Sequence, residues 1–172
     1  MSLANKLGSS YEQAKDKIKL RKIQISVDDA TIELKVRIPL KKEMEAITTK
    51  ISTPDDDRVK ALYEFYTAGL KKSIDEGGDD FLAALNAEKS VLKVLDDDII
   101  LDGMSMKQAA TMGSMYQVKV EEFFHLLHSE TGEPINESYE QISGEFSEIW
   151  IKAIVEEIEK AIKPDYKSAK KD

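Results

Sequence analysis

From Lys22 to Ile38 the chain reads KIQISVDDATIELKVRI, with Ile23, Ile25 and Val27, then Ile32, Leu34, Val36 and Ile38, at alternate positions. A period of two is the spacing of a half-buried strand, and the intervening Asp28-Asp29-Ala30 suits a tight turn. The simplest arrangement is an antiparallel hairpin with one apolar face. Two strands alone are marginally stable, so another element must cover that face.

After Pro39 the period changes to 3.6, with Met44, Ile47 and Ile51 spaced by three and four. STPDDDRV then predicts a helix restart: Ser52 or Thr53 as cap, Pro54 needing no donor, and three aspartates at the positive end of the dipole. Val59, Leu62, Tyr63, Tyr66 and Leu70 share one face until the paired glycines of DEGGDD stop the helix. Asp79 or Asp80 can cap a short helix carrying Phe81, Leu82 and Leu85, and a further apolar run follows at Val91, Leu92, Val94 and Leu95. DDDIILDGMSM reads as a small strand or connector with a turn at Asp102-Gly103, and Ser105 with Gln108 forms a capping box.

A long helix is expected from about Met106 to His128, buried along Ala109, Met112, Tyr116, Val120, Phe123, Phe124 and Leu127. Ser138 and Gln141 can cap the next start, and Gly144 divides that short helix from the last one. The final helix carries Trp150, Ile151, Ile154, Val155, Ile158, Ala161 and Ile162 on a broad apolar face and ends at Pro164. The fold class is therefore α+β, mainly α-helical with a small N-terminal antiparallel β-hairpin. At 172 residues one domain is the expectation, with a flexible N-terminal segment at about 1–10 and a C-terminal tail at about 164–172.

Charge narrows the partners. With 33 acidic and 25 basic side chains the net charge is -8, which opposes attachment to nucleic acid or anionic lipid. The basic run KDKIKLRK, from Lys15 to Lys22, reads as a solvated lysine row. No cysteine is present, so neither disulfides nor thiolate zinc sites arise. The opening MSLANKLGSS lacks the apolar core of a signal peptide, and no apolar run approaches the ~20 residues that cross a bilayer. A cytoplasmic protein fits, with no membrane and no nucleic-acid partner.

EEFFHLLHSE holds both histidines, and helical spacing brings Glu121, His125 and His128 together on the polar side as candidate ligands for a divalent metal. Glu122 and His125 make one Glu-x-x-His motif, whereas a di-iron bundle needs two with further carboxylates, so ordinary polar residues are the favoured reading. PDDDR and LDDDII lack the ligand alternation and glycine of a calcium loop; helix capping explains the first and a solvated connector the second. Phosphate loop, nucleophile elbow and metalloprotease motif are all missing, and no cofactor is called for. Met104, Met106, Met112 and Met115 gather soft side chains at one helix start; Met112 and Tyr116 fit core packing, leaving Met104, Met106 and Met115 as candidate partner contacts.

The order of elements carries a further expectation. The strand IELKVRIP, a helix with ALYEFYTAGL, the connector ILDGMSM and the paired helices of VEEFFHLLHSETGEPINESYEQISGEFSEIWIKAIVEEI resemble the tail assembly chaperones of long-tailed bacteriophages, over most of Ile32 to Ile162. The resemblance implies a noncatalytic, cytoplasmic assembly factor, mostly helical, that self-associates and escorts the tape measure protein before tail tube polymerisation. Some members are also made in a frameshifted, extended form that recruits tail tube protein, and codons for Ala169, Lys170 and Lys171 are where an adenine run would allow it. Two other classes remain open: a virion tail-completion or connector protein, and a metal-dependent enzyme or regulator using His125 and His128.

Overall fold

The computed structural model describes Lys6, Gly8, Ser9 and residues 19–87 and 91–163. Most of the expected N-terminal segment, the tail at 164–172 with Ala169, Lys170 and Lys171, and residues 15–18 of the basic run lie outside the described residues. The protein is α+β and mainly helical, with a small antiparallel sheet near its N-terminus. Length sets the expectation of one domain; by its contacts the chain forms two compact units, Met1–Thr48 with Lys119–Asp172 and Thr49–Val118.

In the first unit, β1 (Leu20–Val27) and β2 (Ala30–Arg37) form the expected hairpin, joined by Asp28-Asp29. Asp28 sits at φ 51, as the first position of a tight two-residue hairpin turn requires. Opposed pairs Ile23–Leu34 and Ile25–Ile32 put the alternating apolar residues on one face, and Ile23, Ile25 and Val36 are buried. The cover is α5 (Glu148–Ile162), which packs on β1 and buries Ile151, Ile154, Val155 and Ile158. Each such side chain contributes about 1.5–3 kcal/mol by leaving water. The Arg21 guanidinium donates to the Ala161 carbonyl in the last turn of α5, where unpaired carbonyls favour a cation.

β2 ends before Pro39, and α1 (Lys41–Ser52) follows with Ile47 buried. Arg37 closes a two-pronged ion pair on Glu43, at 2.8 and 2.6 Å, tying the strand end to the helix start. Later in the chain, α3 (Met106–Phe124) ends four residues short of the expected His128. Leu126–His128 makes instead a single antiparallel bridge, Leu127 opposite Val36, which serves as a one-residue edge strand: Arg37 donates to the Leu126 carbonyl and His128 to the Lys35 carbonyl, both at 2.8 Å. The His125, Leu126 and Leu127 amides still donate back to the carbonyls of Glu121, Phe123 and Phe124, while the His128 amide and the Leu126 carbonyl are satisfied by β2. α4 (Tyr139–Glu145) starts at the expected capping box of Ser138 and Gln141.

In the second unit, α2 (Asp56–Ala87) begins at Asp55, whose carboxylate accepts from the Arg58 amide at 2.8 Å. Ser52 and Thr53, expected to cap it, instead donate to the Thr49 carbonyl and close α1. The helix is broken at Gly78, φ 49 and ψ -134, within the glycine pair expected to stop it. β3 (Leu92–Val94), β4 (Ile99–Leu101) and β5 (Met104–Ser105) form a small antiparallel sheet, fuller than the single strand or connector expected. Asp102 at φ 52 and Gly103 at φ 83 make the anticipated Asp-Gly turn. Ser105 then accepts from the Gln108 amide at 3.1 Å and opens α3.

Candidate functional site

The hairpin's apolar face is wider than the helix that covers it, and the remainder becomes a groove in the first unit. β2 contributes Ile32 and Leu34, the end of α3 and its edge strand Phe124 and Leu127, α4 and its C-cap Ile142 and Phe146, and α5 Ile154. Phe124 and Phe146 meet edge to face, their ring centres 5.8 Å apart. The space encloses about 390 Å³, enough for one or two large apolar side chains of another chain. Around it stand Glu130, Glu137 and Glu145, with His128, Gln141 and Ser129, and among the described residues no lysine or arginine lines it. An apolar floor inside an acidic rim favours apolar segments with basic flanks.

The three residues weighed as alternative metal ligands are parted by the end of α3. Glu121 is buried, and its carboxylate accepts the Tyr139 amide at 2.8 Å at the start of α4. His125 approaches the Glu137 carbonyl at 3.4 Å through Nε2 and lies 4.0 Å from Glu122 through Nδ1. His128, in the edge strand, lies at the groove rim. Among the described residues no three histidine, aspartate or glutamate groups converge as a metal would need. Glu121, His125 and His128 thus serve, respectively, a helix start, a loop contact and the rim.

The clustered aspartates also act on backbone. Asp98 accepts from Ser105 Oγ at 2.5 Å, from the Ile99 amide at 2.8 Å and from the Lys107 amide at 3.1 Å, while Asp97 pairs with Lys107 at 2.7 Å. Burial alone would raise the Asp98 carboxyl, but these hydrogen bonds together outweigh it and hold the group below the ordinary aspartate value. It fixes the turn and caps α3 in place of the solvated connector expected.

The methionines divide. Met104 is 59% exposed on β5, Met115 is half-buried, and Met106 is buried with 9% of its surface accessible. Met106 is therefore corrected from a surface contact to a packing residue, because the first turn of α3 directs it inward. Met112, expected in the core, is 71% exposed, and small Ala110 and Ser114 occupy the buried side instead. Phe65 on α2 is 77% exposed, so the second unit presents apolar side chains outward as well.

Sequence reasoning missed Ile135, Glu137, Glu145 and Phe146 as groove residues. Two signals pointed to them: an isolated isoleucine inside the polar stretch TGEPINES, and a phenylalanine placed where one helix yields to the next. No helix among the described residues is long and apolar enough to cross a membrane. No family model, curated protein or solved structure matches this chain.

Proposed function

We propose that this protein is a noncatalytic tail assembly chaperone of a long-tailed bacteriophage. It self-associates in the host cytoplasm and shields the tape measure protein until tail tube subunits displace it. The observation that carries this reading is the groove, apolar within and acidic at its rim. An elongated client exposes apolar segments that would otherwise associate with one another. Seating them in the groove removes that surface from water, and a net charge of -8 keeps the complex dispersed. Outward Met104, Met112 and Phe65 offer further weak contacts, and self-association multiplies all of them along one client. Many weak contacts hold a long chain and still release it one segment at a time.

The test is co-expression with a tape measure protein carrying the only affinity tag. The native chain is expected to keep the client soluble and to copurify with it. Ile135→Glu, a half-buried loop position lining the groove, is expected to reduce copurification several-fold while leaving the far-ultraviolet circular dichroism unchanged. A client equally soluble without this chain, or never retaining it, overturns the reading.

A further inference from the structure

The edge strand Leu126–His128 covers only part of β2. In the hairpin ladder Thr31, Glu33, Lys35 and Arg37 turn their backbone groups away from β1, and Leu126–His128 pairs with Lys35 and Arg37 alone. At Ser129 the chain leaves this line, making a turn in which the Gly132 amide donates to the Ser129 carbonyl. Among the described residues no backbone continues the pairing at Glu33 and Thr31, and both residues are exposed. A cleft of about 420 Å³ opens beside Glu33, lined by Lys22, Glu33, Leu34, Lys35, His128 and Glu130. Ile32 and Leu34, interleaved with these edge residues, turn the opposite way and line the apolar groove.

We propose that the open edge of β2 at Thr31 and Glu33, together with the adjoining groove, takes an extended peptide by strand addition, with apolar residues at alternate positions and lysine or arginine between and beside them. The edge supplies backbone donors and acceptors that any sequence satisfies, and the groove selects the side chains. Alternation follows from the pleat: residues opposite Ile32 point into the groove, and those opposite Glu33 lie beside its carboxylate. The preference for cations follows from Glu130, Glu137 and Glu145 at the rim. A charged edge is also a common guard against indiscriminate pairing; here Glu33 is paired with Lys22 at 2.8 Å and Lys35 stands nearby, so the edge itself is mixed in charge and the acidic rim of the groove sets the preference for cations. This inference rests on the reading of the groove as the client site and gives the form in which a client segment is held.

The probe is a synthetic eight-residue peptide alternating valine or leucine with lysine and threonine, titrated onto the full chain. Its partner is the same peptide N-methylated at alternate backbone amides. The unmodified peptide is expected to bind and to slow hydrogen exchange at the Thr31 and Glu33 amides. N-methylation is expected to weaken it by about tenfold or more. Glu33→Pro removes one outward donor while sparing the ladder to β1, and is expected to act likewise. Equal binding of both peptides, or unchanged exchange at Thr31 and Glu33, overturns strand addition even in a chain that still copurifies with the tape measure protein. Protection of those amides that rises with protein concentration alone assigns the edge to a second copy and also overturns it. Edge binding of the peptide by a chain that ignores the tape measure protein upholds strand addition and overturns the chaperone reading.

Discussion

The Glu121 carboxylate accepts the Tyr139 backbone N–H at 2.8 Å, joining the last turns of α3 to the first turn of α4 across 18 residues of sequence. One of the unpaired amides that every helix start exposes is thereby satisfied, by a side chain that is itself buried. Glu121→Ala is expected to lower stability by about 1–2 kcal/mol, and Glu121→Gln by much less because an acceptor remains. Urea unfolding of the three proteins measures this. Equal stability of native protein and Glu121→Ala would contradict the assigned role.

Gly113 lets α2 and α3 approach within the second unit. A Cβ there would stand 2.7 Å from the Tyr66 hydroxyl and 3.3 Å from Leu62 Cδ1. Gly113→Ala gains about 0.5–1 kcal/mol of helix preference but must displace the Tyr66 hydroxyl and press on Leu62, so it is expected to yield less than that gain or a small net loss. Adding Tyr66→Phe, which removes the nearest atom, is expected to restore the missing part of the helix gain. Thermal melts of the single and double variants show whether the two changes couple, and strict additivity would refute the contact.

Acid sensitivity follows from three carboxylates. The Arg37 guanidinium holds Glu43 below its ordinary value of 4.5, and Lys119 and then Lys163 do the same for Glu159. Asp98 lies below its ordinary 3.8 by the hydrogen bonds described above. A carboxyl with a lowered folded value contributes stability that is complete above its unfolded value and fades as pH falls through the folded one. Stability should therefore hold from neutral pH to about 5 and decline below the ordinary carboxylate range. Glu159→Gln, whose group cannot titrate, should flatten part of the decline in unfolding midpoints measured between pH 6 and about 3. Identical pH profiles would remove Glu159 from the account.

Met104 and Met106 should behave oppositely although two positions apart. Met106→Ala empties a packed site and is expected to cost about 2–3 kcal/mol of stability. Met104→Gln, on exposed β5, is expected to leave the melting temperature within a degree or two and to weaken client capture modestly. The pair of measurements separates packing from contact.

Strict periodicity made the hairpin and the last helix readable. Ile23 opposite Leu34 and Ile25 opposite Ile32 fulfil an alternation that only one register buries. The end of α3 was hidden because the helical stripe runs on through Leu127, and only a distant strand, β2, captures the backbone of Leu126–His128. Its buried stripe holds at Val120, Phe123 and Phe124 but not at Met112, for another reason: Ala110, Gly113 and Ser114 carry little apolar signal, yet small side chains are what a closely approaching helix selects. The groove is less legible still, since its lining comes from residues up to 122 positions apart, Ile32 to Ile154, and no local window contains them.

The most direct measurement is light scattering by a tape measure protein diluted from denaturant, with this chain absent or present in increasing molar ratio. The account predicts scattering that falls as the ratio rises and returns when Ile135→Glu replaces the native chain. Scattering unaffected at every ratio, from a chain that is folded and in excess, would contradict it.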